Sequence, residues 1–281
     1  MALPENFDLQ EFVQRVLLED LGKNGDVTST ATIDADARLS ANMNARQAIV
    51  VAGIEVAAEF FRKLDSDVEI DAFVEDGDRI TNGATLIRLT GNARAILAAE
   101  RSALNTLQHL SGIATLTRRY VDAIKGTGAI LLDTRKTLPG LRILEKFAAR
   151  MGGAQNHRMR LDDGVLIKDN HIAVAGGIAQ AVRQAKSANT GLEVQVEIDA
   201  LDQIEPALDA GADRLLLDNM DPAMLRAAVR IVKGRVPLEA SGGVTLETIR
   251  FLAETGVDFI SVGRITQSAP AVDIGLDYSI E

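Results

Sequence analysis

Apolar runs in the second half of the sequence end repeatedly in a charged residue, a hydroxyl or a glycine. In parallel α/β folds the active site forms at the carboxyl ends of the strands, so side chains at these positions can meet in one site. Six such endings in succession predict a shared pocket, whereas the simpler alternative is a set of unrelated loop caps. The residues at these endings are Asp133, Lys168, Glu197, Asp218, Ser241 and Gly263.

The segment from Asp133 to Asp169 is locally basic, although the whole chain has a formal net charge of -10. It holds His157 and His171, two of the 3 histidines in the chain. A guanidinium matches a carboxylate in bidentate fashion, so this cluster indicates a substrate with more than one carboxylate. A solvated basic face is the alternative. The cations that we assign to the cluster are Arg135, Lys136, His157, Arg158 and Lys168.

Two further features suit a phosphorylated sugar. Glu197 and Asp218 end neighbouring apolar runs, and their carboxylates can accept hydrogen bonds from sugar hydroxyls or hold magnesium. The runs SGGVTLE (241–247) and SVGRIT (261–266) place small residues just before predicted helices, where unpaired backbone N–H groups favour a phosphate. Glycines that only punctuate turns are the alternative. The sequence predicts a pocket with a phosphate end, a hydroxyl-binding middle and a carboxylate end.

A repeated strand-then-helix unit must position these residues. The apolar runs are continuous, as in strands that are covered on both faces. Six strands are evident, with NHRMRL (156–161) as a candidate seventh, whereas a complete eight-stranded barrel usually takes about 250 residues. We therefore expect an incomplete or distorted α/β barrel. The predicted strands span 129–133, 165–169, 192–198, 214–218, 236–240 and 258–262.

The first part of the chain predicts a separate α+β domain. Asp8 is a plausible N-cap of a first helix, and strand-like runs between 36 and 89 indicate a small, mostly antiparallel sheet. A helix over 92–112 places Glu100 within its apolar stripe and Arg101 at the edge of that stripe. Burying either charge alone is costly, so we expect an ion pair, a subunit interface or a ligand there.

The composition excludes several classes of protein. The chain has 0 cysteines, which rules out disulfides, thiolate metal sites and thiol nucleophiles. Its net charge of -10 argues against nucleic acid or an anionic membrane as a partner. The sequence has neither a basic, apolar leader nor an uninterrupted apolar run of about eighteen residues, so we expect a cytoplasmic location.

Six long motifs run through the sequence. They are EDLGKNGDVTS (19–29), ERSALNTLQHLSGIATLT (100–117), DTRKTLPGLRILEKFAARMGGAQNHRMRLDDGVLIKDNHI (133–172), LLLDNM (215–220), LEASGG (238–243) and FISVGRITQSAP (259–270). Together these motifs resemble those of quinolinate phosphoribosyltransferases, over nearly the whole chain. Ala154 departs from the family pattern because it replaces a usual glycine, and Arg264 departs because it replaces a usual small residue.

The resemblance implies transfer of phosphoribose from phosphoribosyl diphosphate to quinolinate with decarboxylation. The expected products are nicotinate mononucleotide, diphosphate and CO2, in NAD biosynthesis. The implied fold is an amino-terminal α+β sandwich domain (1–111), an open, seven-stranded α/β barrel (112–268) and a last segment (269–281) that packs back on the first domain. A homodimer is also implied, with a higher oligomer left open, in which Arg101 is supplied to the neighbouring subunit's site.

The resemblance also assigns the site residues. It implies that Glu197 and Asp218 hold a magnesium ion and, with Lys136 and Lys168, take part in catalysis. Lys168 or His157 is expected to assist the loss of CO2. The implied quinolinate-binding residues are Arg101, Arg135, Thr137, His157, Arg158 and Lys168. The implied residues for phosphoribosyl diphosphate are Lys136, Glu197, Asp218, Ser241, Gly242, Gly243, Gly263 and Arg264.

Three alternatives rest on parts of the same pattern. A paralogue in molybdenum handling has the same fold but departs at several motif residues that are intact here. A phosphate-binding barrel lyase or isomerase fits SGGV, although Arg135 and Arg158 argue against it. The run VEDGDRITNGATLIRL (74–89) is similar to half of a biotinyl or lipoyl carrier hairpin, but it lacks a lysine in the turn.

Overall fold

The computed structural model describes residues 3–4 and 7–279, which form two compact units. The first unit contains the residues up to Arg118, then 143–153, and the chain from Ser268 onward. The second unit contains 119–142 and 154–267. Residues 280–281 of the last predicted segment lie outside the described residues. Within the described ranges, no helix has both the length and the apolar character that a bilayer crossing requires.

Eleven α-helices and twelve strands make up the described chain. The helices are α1 Leu9–Leu21, α2 Val27–Thr32, α3 Ile54–Leu64, α4 Ala93–Ala123, α5 Arg142–Met151, α6 Asp169–Ala175, α7 Ile178–Ser187, α8 Ile204–Asp209, α9 Pro222–Val232, α10 Ile249–Ala253 and α11 Arg264–Gln267. The strands are β1 Arg38–Ala45, β2 Ile49–Val50, β3 Glu69–Ala72, β4 Arg79–Ile80, β5 Thr85–Asn92, β6 Ile130–Leu132, β7 Val165–Ile167, β8 Val194–Ile198, β9 Arg214–Asp218, β10 Leu238–Ser241, β11 Phe259–Ser261 and β12 Ile274–Ser279.

The first unit is built on an antiparallel sheet in the order β12-β1-β5-β3, which confirms the predicted α+β character. Alternate residues of β1 (Ala41, Met43 and Ala45) are buried, as expected for a strand with one face on the core. The N-cap prediction for α1 is also confirmed, because Oδ1 of Asp8 accepts the N–H of Glu11 at 2.9 Å. The last segment of the chain enters this sheet as β12.

Helix α4 is longer than predicted, because it continues through Gly112 to Ala123. That glycine is required by packing, since an added Cβ would lie 2.2 Å from the carbonyl oxygen of Pro270. The hydroxyl of Ser111 ties the helix to the core by accepting the N–H of Ala52 at 3.1 Å. Arg101 is exposed, so the packing of this chain does not bury its charge.

The second unit contains a six-stranded parallel sheet in the order β6-β11-β10-β9-β8-β7. Consecutive strands from β7 to β11 are neighbours, and β11 lies beside β6. This is the circular order of an α/β barrel that is opened between β6 and β7. All five residues of β8 are buried, as predicted from its apolar run. The open α/β architecture is therefore confirmed.

The run proposed as a seventh strand does not form one. Gln155 makes a single parallel bridge to Leu132, and its N–H donates to Leu131 O at 2.9 Å. The chain then leaves the sheet because the buried carboxylate of Asp133 binds both the N–H of His157, at 2.8 Å, and the side-chain amide of Asn156. The sheet assigned within the described residues consequently has six strands.

Candidate active site

The carboxyl ends of the second unit's strands line one cavity of about 390 Å³, which we call the strand-end pocket. Four of the six predicted run endings, Lys168, Glu197, Asp218 and Ser241, line this pocket, whereas Asp133 and Gly263 are not among its lining residues. The predicted site residues that line it are Arg135, Lys136, His157, Arg158, Lys168, Glu197, Asp218, Ser241, Gly242 and Gly243. The lining residues outside that prediction are Thr134, Leu166, Leu216, Asn219, Glu239 and Ser261.

Two arginines form the cationic side of the strand-end pocket. The Nε of Arg135 is buried and has no hydrogen-bond partner within the described ranges. The guanidinium of Arg158 donates through Nη1 to Gly164 O at 2.7 Å. Burial and then the nearby positive charge of Arg135 lower the pKa of Arg158. Two like charges held this closely favour an anion between them, and a carboxylate matches their donors.

Lys168 bridges the cationic and acidic sides of the pocket. Its Nζ donates to Oε2 of Glu197 at 2.8 Å, which places an ammonium beside the carboxylate at the end of β8. The backbone N–H of Lys168 donates to Nδ1 of His171 at 2.9 Å, at the start of α6. His171 therefore serves the first turn of that helix and does not line the pocket.

Three carboxylates meet on the acidic side of the pocket. Glu197, Asp199 and Asp218 each have an oxygen within 4.8 Å of the others. Burial and then the charge of Glu197 raise the pKa of Asp218. A divalent cation would relieve this repulsion, and magnesium prefers such oxygen ligands. Asp199 was not predicted, although its spacing of two residues from Glu197 in VEIDA places both on one face of an extended chain.

A glycine turn follows β10 at the third side of the pocket. Ser241 pairs in register with Asp218, and its carbonyl accepts the N–H of Asn219 at 2.8 Å. Gly242 has φ +95°, and an added Cβ would lie 2.1 Å from Oδ1 of Asn219. Gly243 has φ +59°, but its Cβ position has no described neighbour within 4 Å. The space that a side chain would occupy is therefore open at Gly243 and filled at Gly242.

The expectation that a helix directly follows this glycine turn is wrong. A turn at Thr245–Thr248 intervenes, in which Oγ1 of Thr248 accepts the N–H of Thr245 at 3.0 Å. Helix α10 begins only at Ile249. Backbone amides in the left-handed region, rather than a helix dipole, are what this segment offers to an anion.

The second predicted phosphate segment does precede a helix directly. Gly263 stands just before α11, and an added Cβ would lie 2.7 Å from Cδ of Lys136. The hydroxyl of Thr266 donates to Lys136 O at 2.7 Å, so the start of α11 supports the loop that carries this lysine. Arg264 is exposed and does not line the strand-end pocket; its charge acts on Glu247.

Two other predicted residues lie away from the pocket lining. The hydroxyl of Thr137 accepts from Nε of Arg142 at 3.1 Å, so it anchors the loop after β6. Arg101 belongs to the first unit, on α4. Their assigned roles in binding quinolinate stay predictions.

Cations, carboxylates and open backbone amides along one edge of a parallel sheet define an α/β enzyme with a pocket for polyanions. The family model described as quinolinate phosphoribosyl transferase, N-terminal domain, matches residues 26–111. The model of the same family's C-terminal domain matches residues 113–277. The chain belongs to the quinolinate phosphoribosyl transferase family.

Individual relatives agree with this assignment. Nicotinate-nucleotide pyrophosphorylase [carboxylating] of Mycobacterium leprae is 42% identical over 276 residues, which cover 95% of this chain and 96% of that protein. The solved nicotinate-nucleotide pyrophosphorylase of Francisella tularensis is 41% identical with a TM-score of 0.92, and 96% of each chain is covered. The corresponding structure from Ehrlichia chaffeensis is 39% identical with a TM-score of 0.94, covering 98% of this chain and 100% of that chain.

Proposed function

We propose that this protein transfers phosphoribose from phosphoribosyl diphosphate to quinolinate, with loss of CO2, and so makes nicotinate mononucleotide for NAD biosynthesis. The observation that carries the proposal is the strand-end pocket. It is lined by paired arginines, by Glu197 and Asp218 and by a glycine turn, and Asp199 joins these two carboxylates in an acidic trio. Family membership over nearly the whole chain supports the same reaction.

The cationic side binds quinolinate. Arg135 and Arg158 neutralise its carboxylates through bidentate contacts, and the buried Nε of Arg135 gains the acceptor that it lacks within the described chain. Lys168 completes the cation set from the end of β7. This arrangement selects a dicarboxylate, because two carboxylates can engage the half-buried Arg135 and Arg158 separately, whereas a single carboxylate neutralises only one charge.

The opposite side binds phosphoribosyl diphosphate. The amides of Gly242 and Gly243 donate to the 5-phosphate, with the hydroxyl of Ser241 beside them. Glu197 and Asp218 accept hydrogen bonds from the ribose hydroxyls. Lys136 lies between these groups and the loop before α11, where its ammonium can meet the departing diphosphate.

The acidic trio fits a magnesium ion. Glu197, Asp199 and Asp218 offer oxygen donors that lie within 4.8 Å of one another, and the raised pKa of Asp218, due to burial and then Glu197, indicates charge that a cation would balance. Magnesium, when bound, supplies positive charge to the diphosphate as it leaves. The two ligands expected from the sequence, Glu197 and Asp218, are thus joined by Asp199.

The reaction depends on aligning the two substrates and requires no covalent enzyme intermediate. The pyridine nitrogen attacks C1 of the ribose while the bond to diphosphate breaks, and holding both substrates in one pocket is itself a large rate factor. The ring nitrogen becomes cationic, so its charge stabilises the electron pair that stays on C2 when the 2-carboxylate leaves as CO2. The resulting carbanion at C2 then takes one proton. Lys168, which carries protons beside Glu197, is suited to supply it.

We also propose a homodimer in which Arg101 completes the neighbouring subunit's site. The side chain of Arg101 is exposed on α4, so it is accessible to a second copy. Light scattering of the purified protein gives the mass of the assembly, and a monomer at working concentration would contradict the proposal. Mixing Arg101→Ala protein with Arg135→Ala protein offers a second test. If Arg101 acts across the interface, a mixed dimer has one intact site, built from Arg135 of one subunit and Arg101 of the other, and activity returns.

A coupled assay tests the proposed reaction. Purified protein with phosphoribosyl diphosphate and magnesium should release CO2 and form nicotinate mononucleotide from quinolinate, but not use nicotinate. Activity with nicotinate instead would show that the paired arginines do not select a dicarboxylate. No reaction with either acid would contradict the proposed function.

A further inference from the structure

A buried carboxylate lies in the sheet beside the strand-end pocket. Glu239, in the middle of β10, is 0% exposed. Its Oε2 lies 2.7 Å from Nη2 of Arg214 and accepts a hydrogen bond from Nε2 of Gln195 at 2.8 Å. These contacts continue to His157, whose Nε2 lies 3.1 Å from Oε1 of Gln195. We call Arg214, Glu239, Gln195 and His157 the buried polar chain.

The hydrogen bonds of this chain can run in only one direction. An ionised carboxylate only accepts, so the amide nitrogen of Gln195 must face Glu239. The amide oxygen of Gln195 then faces His157, and an acceptor there requires a proton on Nε2 of the ring. The other ring nitrogen, Nδ1, accepts the backbone N–H of Arg158 at 2.8 Å and so carries no proton.

Glu239 is held in its ionised form. Burial raises the pKa of this carboxyl, but the contact with Nε2 of His157, 3.5 Å from Oε2, and the charge of Arg214 outweigh it, so the net shift is downward. The partner charge on Arg214 is itself largely buried, with 13% of the side chain exposed, and its guanidinium lies 4.0 Å from the centre of the Phe259 ring. Removing the carboxylate would leave a buried guanidinium uncompensated.

Packing alone does not hold the imidazole. A second cavity of about 420 Å³ within the same unit is lined by Gln195, Arg214 and both His157 and Arg158. His157 therefore borders two cavities of this unit. Directed hydrogen bonds, rather than close contact, must keep it in one orientation.

We propose that Glu239, through Gln195 and through its own 3.5 Å contact with Nε2 of His157, is a positioning residue that holds the His157 ring as the Nε2–H tautomer. In this tautomer His157 presents Nδ1 to the amide of Arg158 and so places that arginine for the pyridine dicarboxylate. Both ring nitrogens of His157 are then engaged, which leaves Lys168 as the proton donor for C2. The placement of the tautomer stands by itself, whereas its consequence for quinolinate rests on the proposed function.

Nitrogen-15 NMR of protein labelled at histidine tests the tautomer without any substrate. The chain has only 3 histidines, and His109→Gln and His171→Gln variants assign their signals by elimination. Two-bond nitrogen–proton correlations at neutral pH should show His157 as a pure Nε2–H form. An Nδ1–H, mixed or doubly protonated ring in the wild type would overturn the proposal.

Two variants test the role of the chain. Glu239→Gln and Gln195→Met should each convert the His157 signals to a mixture of forms and raise KM for quinolinate about tenfold, the scale of one misplaced charge-assisted hydrogen bond. KM for phosphoribosyl diphosphate should stay unchanged. Glu205→Gln is the matched control, because this exposed carboxylate pairs with Arg235 on the surface.

The outcomes separate this inference from the proposed reaction. Unchanged His157 signals in both variants, or an equal loss for both substrates, would overturn the positioning role. If Glu239→Gln does not fold, the wild-type spectrum and the Gln195→Met variant still test the positioning role. A pure Nε2–H ring in a protein that does not use quinolinate would uphold the tautomer and reject the proposed function.

Discussion

Alanine at Gly242 and at Gly243 should have different effects, although the two glycines are adjacent and both have positive φ. At Gly242 the left-handed backbone costs a non-glycine residue about 1–2 kcal/mol. A Cβ placed 2.1 Å from Oδ1 of Asn219 forces that side chain or the backbone to move, which adds about 1–3 kcal/mol, as overpacking does. Gly242→Ala should therefore lose about 2–5 kcal/mol of unfolding free energy.

Gly243→Ala is the matched control. It has the same left-handed strain of about 1–2 kcal/mol but no described neighbour within 4 Å of the new methyl group. Thermal unfolding followed by circular dichroism should thus place the midpoint of Gly242→Ala several degrees below that of Gly243→Ala. Because the open space beside Gly243 is where we place the 5-phosphate, Gly243→Ala should instead raise KM for phosphoribosyl diphosphate. Equal midpoints would refute the steric reasoning.

Three further predictions concern charged residues of the strand-end pocket. Arg135→Ala should raise KM for quinolinate about a hundredfold, the cost of losing roughly 3 kcal/mol of charge-assisted hydrogen bonding, while Arg160→Ala, an exposed arginine in the same segment, should leave KM within about twofold. Asp218→Asn should abolish turnover yet raise the thermal midpoint at neutral pH. Burial and then Glu197 raise the pKa of Asp218 in the folded state. Between the unfolded and the folded pKa, the native state therefore binds more protons than the unfolded state, and stability falls as pH rises. At neutral pH the ionised carboxylate thus lowers the free energy of unfolding. An unchanged or lower midpoint would contradict that sign. Magnesium should raise the midpoint of the wild type but not that of Asp218→Asn, and equal shifts in both proteins would place the ion elsewhere.

The strand ends were predictable because the strands are buried on both faces. β9 was predicted at its observed bounds, 214–218, since its apolar run is continuous and ends in a charge. Four residues that line the strand-end pocket, Lys168, Glu197, Asp218 and Ser241, followed from the rule that parallel strands end on the same side. Local sequence is sufficient for such features because they depend on burial and chain direction.

Features that depend on distant contacts were not predictable in this way. Gly112 looks like a helix end, but it lies inside α4. A glycine stands there because the backbone at Pro270 leaves no room for a Cβ. The run after Gln155 looks like a strand, but the carboxylate of Asp133 turns it aside. In both cases the deciding partner lies far away along the chain.

The buried polar chain does leave a signal in the sequence, in the form of polar residues within apolar strands. Gln195 and Glu197 stand two residues apart in the otherwise apolar strand β8, so both point to the same face of the sheet. Glu239 similarly interrupts the apolar start of β10. Polar side chains inside a fully buried strand require hydrogen-bond partners. Polar residues that interrupt an apolar strand therefore predict a buried hydrogen-bond network.

The pairing of β12 with β1 affects how this protein can be made. The first unit closes its sheet by pairing β1 with β12, which comes much later in the chain, so the sheet is complete only after β12 has been synthesised. Until then β1 has one unpaired edge, which is a template for association with other nascent chains. Loss of β12 alone would remove only a short strand, yet it would leave that edge permanently open to aggregation.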